Sequence, residues 1–261
     1  MQQGQLEVDV LGPVRIAGCV APFHRPAALD LVVYLALHKE GATYAEWSDA
    51  LWPHRRVSGA TLYSTASDAR RALGTDRAGS PLLCRGSRLR LSEGVVTDVG
   101  RFAGLAAAEE PDRLQSALGL VRGPLLGGLK RADWAVLDGT LASIEKMVAE
   151  AALSATWALL ARGGAEEAIW AARQGLIASP YDERLYRALL EATAAQGNRV
   201  GLRRALAELL ARAADCDLWL EADGPGADAS PQLSLLHPET AALYRQLAGR
   251  LPATGVLPAR L

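Results

Sequence analysis

Apolar and polar residues alternate through Leu6-Glu7-Val8-Asp9-Val10 and stop at Gly12-Pro13. Period-two alternation closed by a Gly-Pro pair predicts a half-buried strand over 6–11. Val14-Arg15-Ile16 predicts a second short strand, and residues 19–23 a third. The period then lengthens. Leu29, Val32, Val33, Ala36 and Leu37 share one helical stripe behind Pro26, and Gly41 closes that helix. Thr43 and Glu46 have capping-box spacing for a second helix that stops at Pro53. Ser58 can cap a third, which runs to Leu73 and ends at Gly74. On this third helix Leu62, Ala66, Ala69 and Leu73 form the inward stripe. Ala60, Ser64, Ser67 and Arg71 lie opposite, with Tyr63 and Arg70 on one flank and Thr61 and Asp68 on the other. Residues 82–85 and 88–91 then predict two strands joined by the two-residue loop Gly86-Ser87.

From residue 98 the pattern is helical. Segments 98–102 and 111–121 open it, residues 123–128 form a loop, and 134–160 carry a nearly unbroken helical pattern whose weak point is Gly139. Helices over 166–178, 182–195 and 199–213 follow, punctuated by Gly163-Gly164, Ser179-Pro180 and Gly197. A shift of 34 residues places Gly163 on Gly197, Ala171 on Ala205 and Leu176 on Leu210. That is the period of tetratricopeptide hairpins, which bury their faces by stacking on neighbours. Residues 214–238 break the pattern as a loop, 238–251 return to helix, and a frayed tail follows. The predicted fold is mainly α: an N-terminal winged helix-turn-helix of α+β type over 5–97, then an all-α TPR-like helical-hairpin array over 98–251.

Composition narrows the function. Half of the 261 residues are hydrophobic, so a sizeable core is available. No apolar run is long enough to span a bilayer, and the N-terminal residues have no secretory pattern. Cys19, Cys84 and Cys216 form no Cys-x-x-Cys pair and read as free thiols in a reducing cytoplasm. The net charge is +1 over 1–98 and −2 over 99–261, so any nucleic-acid contact must come from local clusters. His24, His38, His54 and His237 lack metal-ligand spacing and read as surface or turn residues. No phosphate-binding loop with Lys, Gly-x-Ser-x-Gly elbow or carboxylate pair is present. The chain is expected to be no enzyme, with no catalytic residue, metal or cofactor.

What remains is a surface suited to duplex DNA. Small hydroxyls beside arginine let a helix approach a groove closely. The candidate contacts are Thr61, Tyr63, Ser64, Ser67, Arg70 and Arg71 on the third helix, Arg55 and Arg56 in the turn before it, and Arg85, Arg88 and Arg90 on the hairpin. The bland alternative for these arginines is a solvated helix end and a solvated strand face. Trp47 and Trp52 read as core, and Trp134, Trp157 and Trp170 as packing residues. Asp182-Glu183 reads as helix capping, and Arg203-Arg204 as an exposed face.

The order of elements resembles the OmpR/PhoB-type winged helix. The matching residues are LEVDVLGPV at the start, Tyr44-Ala45-Glu46-Trp47 through Ala50-Leu51-Trp52-Pro53, and Ser67-Asp68-Ala69-Arg70-Arg71-Ala72-Leu73-Gly74. Asp68 and Ala60 stand where that family usually carries basic residues, and an aspartate near the groove is expected to repel phosphate. The second half resembles the bacterial transcriptional activator domain. Its carriers are residues 98–102, Leu120-Val121-Arg122-Gly123-Pro124-Leu125-Leu126, Ser179-Pro180-Tyr181-Asp182-Glu183-Arg184-Leu185 and Leu236-His237-Pro238-Glu239-Thr240. Together the two are similar to the Streptomyces antibiotic regulatory protein class. Within that class the segments LVVYLALHKEG, ASPYDERLYRALLEA and HPETAALYRQL look closer to C-terminal modules of large actinobacterial membrane or LysM proteins. The resemblance implies a cytoplasmic DNA-binding regulator that recruits RNA polymerase or another protein through its helical array. The alternative is a protein-interaction module whose winged helix does not bind DNA.

Overall fold

The computed structural model describes residues 5–217 and 233–251. Of the loop expected over 214–238, residues 218–232 lie outside the described residues, as do the tail beyond 251 and the Cys216 side chain, while residues 214–217 instead continue the preceding helix and Leu233–Leu235 form a 3-10 turn. The chain packs as two compact units. One comprises the chain up to Ala107 together with Leu120–Glu145; the other comprises Ala108–Gly119 with the chain from Lys146 onward.

In the first unit β1 (Glu7–Asp9) pairs antiparallel with β2 (Arg15–Ala17), Val8 opposite Ile16. Helices α1 (Pro26–Leu37), α2 (Tyr44–Leu51) and α3 (Gly59–Leu73) follow. Then β3 (Leu83–Cys84) and β4 (Arg90–Leu91) form the hairpin, and β5 (Val96–Thr97) returns parallel to β1. Leu31, Leu35, Trp47, Leu51, Ala69, Leu73 and Leu83 are fully buried in one core. Both helix caps form as their sequence dictates. Thr43 and Glu46 exchange the two capping-box bonds, and the Thr43 amide foremost holds the Glu46 carboxyl below its usual range. Ser58 accepts from Thr61 N–H at 3.2 Å.

Two expectations fail here. Residues 19–23 form no strand, because Val20 and Ala21 both donate N–H to the Ala72 carbonyl, at 2.9 and 3.3 Å, and so fasten the end of α3. The hairpin loop is also longer than Gly86-Ser87, since the ladder closes at Cys84 opposite Arg90. Leu89 instead exchanges both backbone bonds with Ala42, at 2.7 and 2.8 Å, so one residue of the expected strand anchors the hairpin to the turn before α2.

α4 (Asp98–Ala106) begins on a buried carboxylate. Asp98 accepts N–H from Val10 and Leu11 at 2.9 and 2.8 Å and meets the Arg122 guanidinium at 3.2 Å; burial pushes its carboxyl up. The strand end is paired further along: Arg122 N–H donates to Leu11, Leu126 N–H to Val10, and Val14 N–H to Gly127, at 2.7 to 2.9 Å. Asp30 is likewise buried in α1 and bonds Arg131 at 2.7 Å. The helix expected over 134–160 divides at Gly139, whose φ of +79° ends α6 (Asp133–Leu137) before α7 (Thr140–Ala161) begins. His38 is not a bare surface residue. It stacks on Tyr34 with centroids 4.2 Å apart, lies edge-on to Trp134, and bonds the Tyr34 carbonyl and Asp138.

The second unit is a stack of antiparallel helices, α5 (Pro111–Leu118), the continuation of α7, α8 (Ala165–Ala178), α9 (Glu183–Ala195), α10 (Arg199–Asp217) and α11 (Pro238–Arg250). α5 stops short of the expected 121. Gly163 and Gly197 hold equivalent left-handed turns, with φ of +78° and +72°, and Ala171 and Ala205 are both fully buried, as the 34-residue repeat requires. At Gly175 the helices approach so closely that a Cβ would lie 2.6 Å from the Ala152 Cβ. Trp157 and Trp170 are about 40% exposed rather than interior, at 41% and 38%.

The two second-half motifs meet each other. Glu183 accepts N–H from His237 at 3.0 Å and the Thr240 hydroxyl at 2.9 Å, which fastens α11 to α9. Asp182 caps α9 and bonds the Arg184 guanidinium at 2.7 Å. Burial opposes its charge, but the Arg184 hydrogen bonds outweigh it and hold the carboxyl below its usual range. A lowered folded-state value adds stability that is present above the ordinary carboxylate range and lost as pH falls through the folded value. Asp182→Ala is therefore expected to cost about 1 kcal/mol near neutral pH. In urea unfolding that difference should shrink as pH falls below the ordinary carboxylate range, about 4; a difference constant with pH would contradict the charged cap.

Candidate nucleic-acid interface

α3 turns two different faces outward and inward. Its buried residues are Thr65, Ala66, Asp68, Ala69, Ala72 and Leu73, whereas Leu62 is only partly covered. The buried face is thus wider than the apolar stripe and swings through Thr65 and Ala72 to Asp68. Asp68 is 4% exposed. Its Oδ2 accepts N–H from His24 at 2.9 Å and from Arg25 at 2.8 Å, and its Oδ1 pairs with Arg71. The expectation of a repelling carboxylate beside the groove is therefore corrected: Asp68 joins α3 to the start of α1. Arg25 is the N-cap of α1, and its own side chain makes no capping bond.

The outward face holds Ala60, Ser67 and Arg71, all exposed, with Ser64 half-buried. Ser64 donates its hydroxyl hydrogen to the Thr61 carbonyl at 2.9 Å, and the Thr61 hydroxyl lies 3.1 Å from that of Ser58, so both hydroxyls are occupied within the helix. Tyr63 is 59% exposed and leans on Tyr44, at the open end of a series of rings that continues through Trp47 to Trp52. Trp47 and Trp52 are buried, in agreement with their core assignment. Arg70 is half-buried, and its Nη2 has no partner among the described residues. Arg55 and Arg56 are exposed in the turn before α3.

On the hairpin, Arg85 and Arg90 are exposed. Arg88 is committed elsewhere: it donates to the Gly41 carbonyl at 2.8 and 3.1 Å and pairs with Glu46 at 2.7 Å. Sequence reasoning grouped it with Arg85 and Arg90 because the strand pattern carries no sign of the fold-back onto α2. Beside α3, His24, Arg25, Ser64, Ser67, Asp68 and Arg71 line a surface pocket of about 420 Å³. Neither His24 nor Arg25 stood out in the sequence, since both precede α1 and lie far from α3 along the chain. Among the described residues no group of His, Cys, Asp and Glu could hold a metal ion, and no helix is long and apolar enough to cross a membrane.

The family model of the bacterial transcriptional activator domain matches residues 98–208. Residues 98–208 of this chain are thus similar to that domain. The chain is also similar to a solved structure of Mycobacterium tuberculosis EmbR, which is in complex with a low-affinity phosphopeptide, with a TM-score of 0.58 and 24% identity. The match covers 96% of this chain and 66% of the EmbR chain, so this chain spans less than two thirds of that structure's length. At that identity the likeness is one of fold: a winged helix followed by a helical array. No curated protein matches this chain.

Proposed function

We propose that this protein is a cytoplasmic, DNA-binding transcriptional regulator. α3 enters the major groove with Ser67 and Arg71 foremost, supported by Thr61, Tyr63, Ser64 and Arg70; Arg55 and Arg56 meet backbone at its start, and Arg85 and Arg90 reach the flanking backbone from the hairpin. Arg88 serves by holding the hairpin against α2. The helical unit recruits RNA polymerase or another protein. The observation that carries this reading is the division of α3, with Asp68 turned inward and Ala60, Tyr63, Ser67 and Arg71 exposed outside. With a charge of only +1 over 1–98, the phosphate contacts come from these local arginines.

The test is selection from a random duplex library at low salt, with Ser67→Glu and Arg85→Ala/Arg90→Ala as controls. These residues are exposed, so the substitutions leave the core alone. The expected result is an enriched motif that Ser67→Glu abolishes and the double variant weakens, with affinity falling steeply as salt rises. Retention of no duplex by the unsubstituted protein would overturn the reading in favour of a protein-interaction module.

A further inference from the structure

The pocket between α3 and the start of α1 has its own chemistry. Ser64, Ser67 and Arg71 reach it from one helical face, spaced i, i+3 and i+7. His24 and Arg25 reach it from the segment that Asp68 pins in place. Asp68 belongs to the lining but is spent: two amides hold one oxygen and the Arg71 guanidinium pairs with the other. The Arg71 charge and the Asp68 charge offset each other. What is left over is the exposed guanidinium of Arg25, the exposed imidazole of His24 and the Ser67 hydroxyl, all of them able to donate.

We propose that this pocket seats a single backbone phosphate of duplex DNA, with Arg25 as the residue that grips it. A phosphodiester presents two non-bridging oxygens and one negative charge, which suits one guanidinium fork and a neighbouring hydroxyl. The pocket also continues the outward face of α3, so a strand bordering a groove entered by that face passes over the start of α1. Arg25 fixes register on the duplex and reads no base. This proposal rests on the DNA-reading role proposed above.

The experiment measures binding of the intact protein to its selected duplex across a salt series, with Arg25→Ala and Arg25→Lys. Arg25→Ala is expected to weaken binding about tenfold, to make the slope of log K against log salt shallower by about 0.9, and to leave the selected bases unchanged. Arg25→Lys should restore most of the slope. Methylphosphonate substitution, one linkage at a time, should find one position that costs the unsubstituted protein affinity and costs Arg25→Ala none. Inorganic phosphate at matched ionic strength should compete no better than chloride. If Arg25→Ala keeps the full slope while the unsubstituted protein binds DNA, the phosphate seat is overturned and the DNA reading stands. If inorganic phosphate competes specifically, the pocket is a free-anion site and the proposal is again overturned. If the unsubstituted protein holds no duplex at all, the DNA reading fails and this proposal falls with it.

Discussion

Asp68→Arg, which introduces the basic residue usual at this point in similar winged helices, should strongly destabilise the N-terminal unit instead of strengthening DNA binding. The carboxylate is buried and accepts the two amides that precede α1, at 2.9 and 2.8 Å. Arginine would leave both amides without their acceptor and set a second guanidinium beside Arg71. Breaking a buried charged network from one side costs about 3–5 kcal/mol, a large part of the 5–15 kcal/mol that typically holds a domain folded. Asp68→Asn keeps an acceptor oxygen and should cost less. Chemical denaturation followed by fluorescence of Trp47 and Trp52, both buried in this unit, measures each loss. An unshifted Asp68→Arg midpoint together with a gain in DNA affinity would show that Asp68 faces the groove after all.

Gly41→Ala carries the second large effect. Gly41 has a φ of +73°, and a Cβ there would lie 2.4 Å from the Leu89 carbonyl oxygen and 2.7 Å from the Arg90 Cβ. Neither neighbour is a flexible side-chain end. The Leu89 carbonyl is held by the Ala42 amide, and Arg88 grips the Gly41 carbonyl itself. The hairpin must lift away, at a cost of about 3 kcal/mol in strain and lost bonds. Gly79→Ala is the matched control: its φ is +83° but nothing lies within 4 Å of its Cβ. It should show the left-handed penalty alone, about 1–2 kcal/mol. Equal losses at the two positions would mean that the hairpin adapts freely to Gly41.

Local chemistry was legible in the sequence and long-range pairing was not. The caps of α2 and α3, the breaks at Gly163 and Gly197 and the capping role of Asp182 each depend on residues within one turn of the chain. Asp68 misleads because a four-residue apolar stripe marks only the middle of a wider buried face. The small residues Thr65 and Ala72, spaced three before and four after it, were the available sign. β5 has two residues, too few for any period, and exists because β1 lies beside it. The commitment of Arg88 depends on Gly41 and Glu46, far back along the chain, and no hairpin pattern encodes that. The pocket residues His24 and Arg25 become visible only when Asp68 draws them to α3.

The pairing of residues 10–14 with residues 122–127 has a temporal consequence. The chain leaves the first unit at Ala107 and re-enters it at Leu120. During synthesis the three helices and the hairpin emerge from the ribosome well before Arg122 can neutralise Asp98, or Arg131 can reach Asp30. For that interval the nascent winged helix carries two buried carboxylates without their cations and a strand end without its partner. Its maturation is thereby tied to translation of a segment inside the activator domain match, so the N-terminal unit reaches its final form only as the adjoining module is being made.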